Sequence, residues 1–176
     1  HTGGIKATVR ANNTIYYRSP SMGGLQVHAA IAAAEGQTPA VSLERPMGFG
    51  VRYDAGPLSA AVAYEKNDQD LATTGFYAKY NFVMATLLGQ YEKGDVSATV
   101  DVARYSISAI VPMGAGAFKV GYMSWSDENT KKFGVGYDYN LSKRTQLYTN
   151  VGKLSGSAPT ATAKKAMFDV GIWHKF

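Results

Sequence analysis

The chain contains no cysteine and only three histidines among its 176 residues. Without cysteine there is no disulfide framework, no thiolate metal site and no cysteine nucleophile. The histidines, His1, His28 and His174, do not have the spacing of metal ligands. A nucleophile elbow, a phosphate-binding loop and a paired-carboxylate motif are also missing. We therefore expect a protein that is not an enzyme, with no catalytic residue, no metal site and no cofactor.

Long apolar runs are lacking as well. No stretch approaches the roughly 18 uninterrupted apolar residues of a membrane-spanning helix, which excludes a helical membrane protein. The hydrophobic content of 45% would permit a soluble core. Membrane β-strands, however, need only about ten residues and alternate in polarity. Composition alone therefore leaves a soluble domain and a membrane barrel both open.

Alternating strands are what the sequence does contain. Residues 133–148 read FGVGYDYNLSKRTQLY, in which Phe133, Val135, Tyr137 and Tyr139 fall on one face of a strand. The intervening residues are glycine, aspartate and asparagine, and a polar turn follows. The glycines of this stretch, Gly134 included, are interpreted as wall residues because none opens a helix. This pattern predicts hairpins with one apolar and one polar face.

About eleven strand candidates follow from the same pattern. They lie near residues 9–18, 25–34, 48–54, 58–66, 74–81, 84–92, 102–111, 117–125, 132–139, 145–152 and 167–176. Short connections at 19–24, 54–57, 81–83, 112–116 and 140–144 alternate with long polar ones at 35–47, 66–73, 93–101, 126–131 and 153–166. In an up-and-down meander this alternation predicts tight turns at one rim and long loops at the other, as in outer-membrane barrels.

The parity of the strands predicts which residues share a face. The apolar rows include Val27, Val51, Val62, Val120 and Val170. The opposite rows carry polar and charged residues: Gln26, His28, Arg52, Glu65, Lys79, Arg104, Lys119, Asp138, Asn150 and Asp169. Burying each charge unpaired costs several kcal/mol, so water must reach that face. Alternation alone does not distinguish this arrangement from a lipocalin-like barrel with an apolar interior, although tyrosines near the strand ends favour interfacial girdles.

Several stretches resemble a known family. GYDYNLSKRTQLY and the terminal FDVGIWHKF are similar to the last three strands of the trimeric general porins of beta-proteobacteria, including neisserial porins, and RANNTIYYRSPSMGG and VRYDAGPLSAAVAY extend the similarity upstream. The resemblance implies an all-β, antiparallel up-and-down transmembrane β-barrel of sixteen strands, with this chain supplying strands six to sixteen. Residues 1–176 would then be one barrel domain lacking its first strands, and residues 1–10 the tail of the constriction loop. An odd strand count also indicates an incomplete barrel; a self-closed barrel of ten or twelve strands is the alternative.

The function implied is passive diffusion of small hydrophilic solutes through a water-filled channel in the bacterial outer membrane, with a preference for anions. The predicted pore-lining residues are Arg10, Arg18, Arg52, Lys79, Arg104, Lys119, Glu65 and Asp138, together with Asp54 and Asp169. Arg10 is the first choice for the constriction because, by resemblance, it directly follows the pore loop. The rival hypothesis is a soluble β-barrel or β-sandwich that binds a partner or ligand through its long loops.

The resemblance also implies partners. A homotrimer, outer-membrane lipid and small hydrophilic or anionic solutes are expected. Phe176, His174 and Ile172 resemble the signal that the barrel-assembly machinery recognises during biogenesis. Basic residues are spread along the chain without a dense patch of stacking aromatics, so no nucleic acid is expected.

Overall fold

The computed structural model describes residues 12–34, 43–126, 129–156 and 166–176. These residues form eleven β-strands, and none of them forms a helix long and apolar enough to cross a membrane. The strands are β1 Thr14–Arg18, β2 Leu25–Ala32, β3 Met47–Ala55, β4 Leu58–Lys66, β5 Ala72–Asn81, β6 Thr86–Ser97, β7 Val100–Met113, β8 Gly116–Trp125, β9 Thr130–Asn140, β10 Thr145–Ser155 and β11 Ala166–His174.

All eleven strands belong to one antiparallel sheet whose order follows the chain from β1 to β11. Two-residue connections join β3 to β4 and β7 to β8. Each begins with a glycine in the left-handed region, Gly56 with φ 53° and Gly114 with φ 59°. Glycine adopts this conformation without steric cost, which lets the chain reverse between two antiparallel strands.

The chain forms two compact units. Unit 1 comprises the described residues through Ala78 together with Gln90–Ala103, and unit 2 comprises Lys79–Gly89 and Arg104–Phe176. Among the described residues, only Ala32, Leu71 and Val102 are buried hydrophobic residues. Stability of the sheet therefore does not come from a conventional apolar core.

The predicted number of strands is confirmed, but one predicted loop is wrong. The long polar connection expected at residues 93–101 is instead a hairpin in which only residues 98–99 lie outside β6 and β7. Its charges are satisfied within unit 1, because Lys93 Nζ lies 3.7 Å from Asp101 Oδ2 and Asp95 Oδ2 accepts a hydrogen bond from the Ala72 amide at 2.8 Å. A strand that is exposed to solvent can contain polar residues on both faces. The pairing of β6 and β7 therefore continues beyond the apolar part of this hairpin.

Other boundaries differ by a few residues. β1 begins at Thr14 rather than at residue 9, since Asn13 has a left-handed φ of 48° that interrupts an extended strand; residues 9–11 lie outside the described residues. β2 ends at Ala32 and β11 at His174, each two residues before the predicted end. Connections 67–71 and 126–129 are shorter than predicted, so the expected alternation of loop lengths is weaker than the sequence indicated.

Candidate functional site

Cross-strand pairing determines which side chains share a face, because directly opposed residues of neighbouring strands point to the same side. In unit 2 an apolar row crosses four strands, from Val120 through Val135 and Val151 to Phe168. In unit 1 the equivalent row joins Val27, Val51 and Val62. We call the side that carries these rows the apolar face and the opposite side the polar face. Each unit therefore has the two-sided character that parity predicts.

The apolar face is not covered by protein in the described part of the chain. Phe168 is 68% exposed, Val170 69% and Ile172 63%. Phe49 in unit 1 is 53% exposed. Soluble monomers rarely expose contiguous apolar patches of this kind, and no second sheet packs on this one among the described residues. An apolar medium has to cover this face.

Charges on the polar face of unit 1 cluster on three adjacent strands. Arg18 opposes His28 across β1 and β2, and Gln26 opposes Arg52 across β2 and β3. Arg52 Nε donates to Asp54 Oδ2 at 2.5 Å, and Arg52 Nη2 donates to Asp54 Oδ1 at 3.2 Å. Both side chains remain about half exposed, so this two-point ion pair faces solvent.

A hollow of about 500 Å³ lies in unit 1 beside this cluster. Small residues of its lining, Gly48, Gly50, Ala61 and Ala63, belong to the polar face by register. Glu65 lies on the same side, opposite Gly48. The polar face of unit 1 is therefore a concave surface with charged side chains at its margin.

The polar face of unit 2 has a different ion pair. Lys119 of β8 and Asp138 of β9 are joined by a short hydrogen-bonded salt bridge between neighbouring strands. The Asp138 side chain is 10% exposed and that of Lys119 45%. This pair ties two strands together more than it presents charge to solvent. Asn150 and Asp169 face each other across β10 and β11 on the same side.

A second hollow, of about 580 Å³, lies on this face of unit 2. Its floor consists of Gly121, Gly134, Gly136 and Gly152, and polar side chains border it. The polar residues of the border are Ser108, Lys119, Lys132, Asn150 and Asp169. Lys132 was not among the predicted lining residues, and Gly134 was predicted only to be a wall residue. A glycine carries no polarity signal, so its contribution becomes visible only when the strand register is known.

The predicted site residues are distributed over both units. Arg18, Arg52 and Glu65 share the polar face of unit 1, with Asp54 beside Arg52. Lys119 and Asp138 share that of unit 2, where Arg104 opposes Trp125 on the same side. Lys79 is half-buried within β5. Arg10 lies outside the described residues. Each unit thus carries predicted site residues on its own polar face, and their role in lining a pore stays a prediction.

The predicted assembly signal occupies the end of β11 and the residues after it. Ile172 lies on the apolar face, opposite Leu147. His174 Nδ1 is hydrogen-bonded to Thr145 Oγ1 at 2.9 Å. Phe176 is fully exposed, and its ring meets that of His174 edge-on with centroids 5.0 Å apart. An exposed terminal aromatic is accessible to a partner protein.

Residues 1–159 match the model of the Gram-negative porin family. The chain belongs to this family. Proteins of the family are channels rather than enzymes and reside in the bacterial outer membrane, and the all-β antiparallel fold agrees with that membership.

Two proteins with similar sequences support the assignment of this chain to the porin family. Outer membrane porin protein 32 of Delftia acidovorans is 36% identical over an alignment 166 positions long, which covers 83% of this chain and 47% of that protein. An outer membrane porin protein of Bordetella pertussis is 26% identical over an alignment 227 positions long, gaps included, which covers 96% of this chain and 58% of that protein. The chain thus spans about half the length of the curated relatives it matches.

Solved porin structures share the fold. The anion-selective porin from Comamonas acidovorans superposes with a TM-score of 0.75 at 29% identity, covering 94% of this chain and 60% of that one. A triple mutant of the Rhodopseudomonas blastica porin superposes with a TM-score of 0.67 at 18% identity, covering 93% and 55%. The second likeness concerns the fold alone.

Proposed function

We propose that the complete protein forms a water-filled channel through which small hydrophilic solutes and ions diffuse passively across the outer membrane. One observation carries this proposal: each unit has an uncovered apolar face and an opposite polar face that carries charges and a hollow. Hydrocarbon satisfies the first and water the second, an arrangement that suits a barrel wall. The mechanism requires no chemistry beyond a wet lumen and the electrostatic bias of its wall.

The complete barrel requires more strands than this chain supplies. Unpaired backbone groups at the edge of a sheet are costly in hydrocarbon, so β1 and β11, the end strands of the order, need partners there. We assign the chain to one barrel domain whose first strands lie outside residues 1–176, with residues 1–10 as the tail of a constriction loop and Arg10 at the constriction. A homotrimer, surrounding lipid and the barrel-assembly machinery are the corresponding partners.

Anion preference is the finer part of the proposal. Basic residues outnumber acidic ones on the polar face where the strand register is described. The basic residues are Arg18, Arg52, Arg104, Lys119 and Lys132, and the acidic ones are Asp54, Glu65, Asp138 and Asp169. The ion pairs of Arg52 and Lys119 offset part of this excess. The name of the Comamonas porin states anion selectivity for that protein, which supports a modest preference of the same sign here.

The Arg52–Asp54 pair provides a test with opposite signs. In the complete protein, Arg52→Gln leaves the Asp54 carboxylate without its cation and should lower the anion-to-cation permeability ratio, whereas Asp54→Asn should raise it. A full charge close to the ion path changes such a ratio by roughly twofold to fivefold. Reversal potentials under a salt gradient in planar bilayers measure the ratio.

A matched control removes the same charge outside the strands. Arg45 lies in the connection between β2 and β3, so Arg45→Gln should have a smaller effect than Arg52→Gln. Reversal potentials that do not move with either Arg52→Gln or Asp54→Asn, or that move in one direction with both, would remove this pair from the lumen wall. Absence of any conductance from the wild-type complete protein would refute the channel itself.

A further inference from the structure

Three glycines of unit 2 stand side by side in the middle of the sheet. Gly121 of β8 opposes Gly134 of β9, and Gly134 opposes Gly152 of β10. We call these three residues the glycine row. Because opposed residues share a face, the row forms a band of the polar face without side chains.

Backbone conformation does not require these glycines. None of the three has a φ in the left-handed region, unlike Gly114. An added Cβ would also find room. At Gly121 its nearest neighbour would be Ser108 Cβ at 3.6 Å, and at Gly134 the Val151 carbonyl oxygen at 3.6 Å. These are ordinary van der Waals distances.

Gly116 shows what a required glycine looks like in the same unit. A Cβ there would overlap the backbone carbonyl of Asp138 and the ring of Tyr137. At Gly152, by contrast, the nearest atom to a Cβ would be the Phe133 carbonyl oxygen at 3.6 Å. Glycine in a strand interior costs stability relative to alanine. The glycine row therefore lowers the stability of the strands, and neither backbone conformation nor local packing requires it.

What the missing side chains provide is space. The row forms most of the floor of the 580 Å³ hollow, and larger side chains there would fill it. Gly136 completes the floor but is not part of the row, because a Cβ there would overlap the Asn150 side chain. The border of the hollow combines the charged residues Lys119, Lys132 and Asp169 with the Met167 side chain, which lies near Gly152. Polar groups in a pocket lining give specificity for polar solutes, so the charged part of this border suits hydroxyl-rich solutes.

We propose that the glycine row contributes to the solute size range of the channel, by widening the path that bulky, hydroxyl-rich solutes such as oligosaccharides take along this wall. The inference rests on the proposed channel function and assigns part of its specificity to three residues. Small ions pass with or without the hollow, whereas wide hydrated solutes need the space above the row.

The test introduces bulk after the protein has assembled, so that folding is not affected. This chain has no cysteine, and Gly134→Cys in the complete protein, freed of any cysteine elsewhere, carries a single thiol. Charged methanethiosulfonate reagents of graded size are added to the assembled channel; the thiolate attacks the reagent sulfur, sulfinate leaves and a mixed disulfide forms. We expect modification with only a small loss of single-channel conductance, and a loss of trisaccharide uptake into liposomes that grows with reagent size to severalfold and is smaller for pentoses.

Two matched variants complete the experiment. Val135→Cys lies next in the chain on the apolar face and should not react with charged reagents. Gly134→Ala adds only the Cβ that fits and should assemble with nearly wild-type uptake of every sugar. A thiol of Gly134→Cys that does not react would show that another segment covers the hollow, and modification without a change in the size dependence of uptake would show that solutes do not use it. Either result overturns the proposal while wild-type conductance still supports the channel.

Discussion

The two ion pairs of the polar face differ in construction and in what they leave exposed. In unit 1, Arg52 and Asp54 are two residues apart on one strand, and both remain about half exposed. In unit 2, Lys119 and Asp138 come from neighbouring strands, and the carboxylate is nearly buried. A pair within one strand adds nothing to the connection between strands, whereas a pair across two strands links them. The first arrangement presents charge to solvent and the second uses charge to hold the sheet.

The hollows of the two units differ in their floors. That of unit 1 is floored by glycines and alanines and bordered by Arg52 and Glu65. A Cβ at Gly50 would lie 3.4 Å from the Val62 carbonyl oxygen, an ordinary contact, and the glycine row of unit 2 has equally ordinary neighbours. Gly136, the fourth glycine in the floor of unit 2, is different, because a Cβ there would overlap the Asn150 side chain. Local packing thus requires Gly136 but none of the three glycines of the row.

The substitutions with the largest expected effect on stability test whether the apolar faces of both units meet the same medium. Val62→Lys in unit 1 and Val151→Lys in unit 2 each place an ammonium group on the apolar face. A lysine near the middle of the hydrocarbon destabilises a membrane barrel by about 2–4 kcal/mol. Urea titration of the complete protein folded into lipid vesicles measures the free energy of unfolding.

Asn150 provides the control for this pair. It precedes Val151 in β10 and points to the polar face, opposite Asp169. Asn150→Lys should therefore leave the free energy of unfolding nearly unchanged. Equal losses for Val151→Lys and Asn150→Lys would contradict the assignment of the two faces, and a loss in unit 2 without one in unit 1 would show that the units meet different surroundings.

Substitutions with an intermediate expected effect on stability distinguish the roles of the two ion pairs. Lys119→Met leaves the nearly buried Asp138 carboxylate without its partner and should lower the free energy of unfolding by about 1–3 kcal/mol. Arg52→Met leaves Asp54 in solvent, so selectivity should change and stability should not. Lys119→Met combined with Asp138→Leu should recover much of the loss, because no charge is then left unpaired. Equal stability of Lys119→Met and wild type would show that the cross-strand pair does not hold the sheet.

The period-two alternation was sufficient to predict the strands and their faces. Val120, Val135 and Val151 were assignable to one side from parity, and the pairing confirms it. Partners across strands were not predictable, because the Lys119–Asp138 contact depends on a register set by turn geometry. The hairpin at residues 93–101 was missed because its polar residues were taken to indicate a loop. Strands exposed to solvent can continue through such residues. The glycine row was missed because its signal is the absence of a side chain at three paired positions.

The smallest effect on the folded state is expected at the end of the chain. Phe176 is fully exposed. Among the described residues its ring contacts one other ring, that of His174, which it meets edge-on. Its deletion therefore removes little buried area, and the conductance of assembled channels should stay at the wild-type value. If Phe176 is part of the assembly signal, the same deletion should slow the appearance of heat-modifiable trimers in pulse-labelled cells. Phe168→Ala, which removes an aromatic from the apolar face of β11, is the control and should lower stability more than it slows assembly. A Phe176 deletion that assembles at the wild-type rate would reduce this residue to an ordinary apolar terminus.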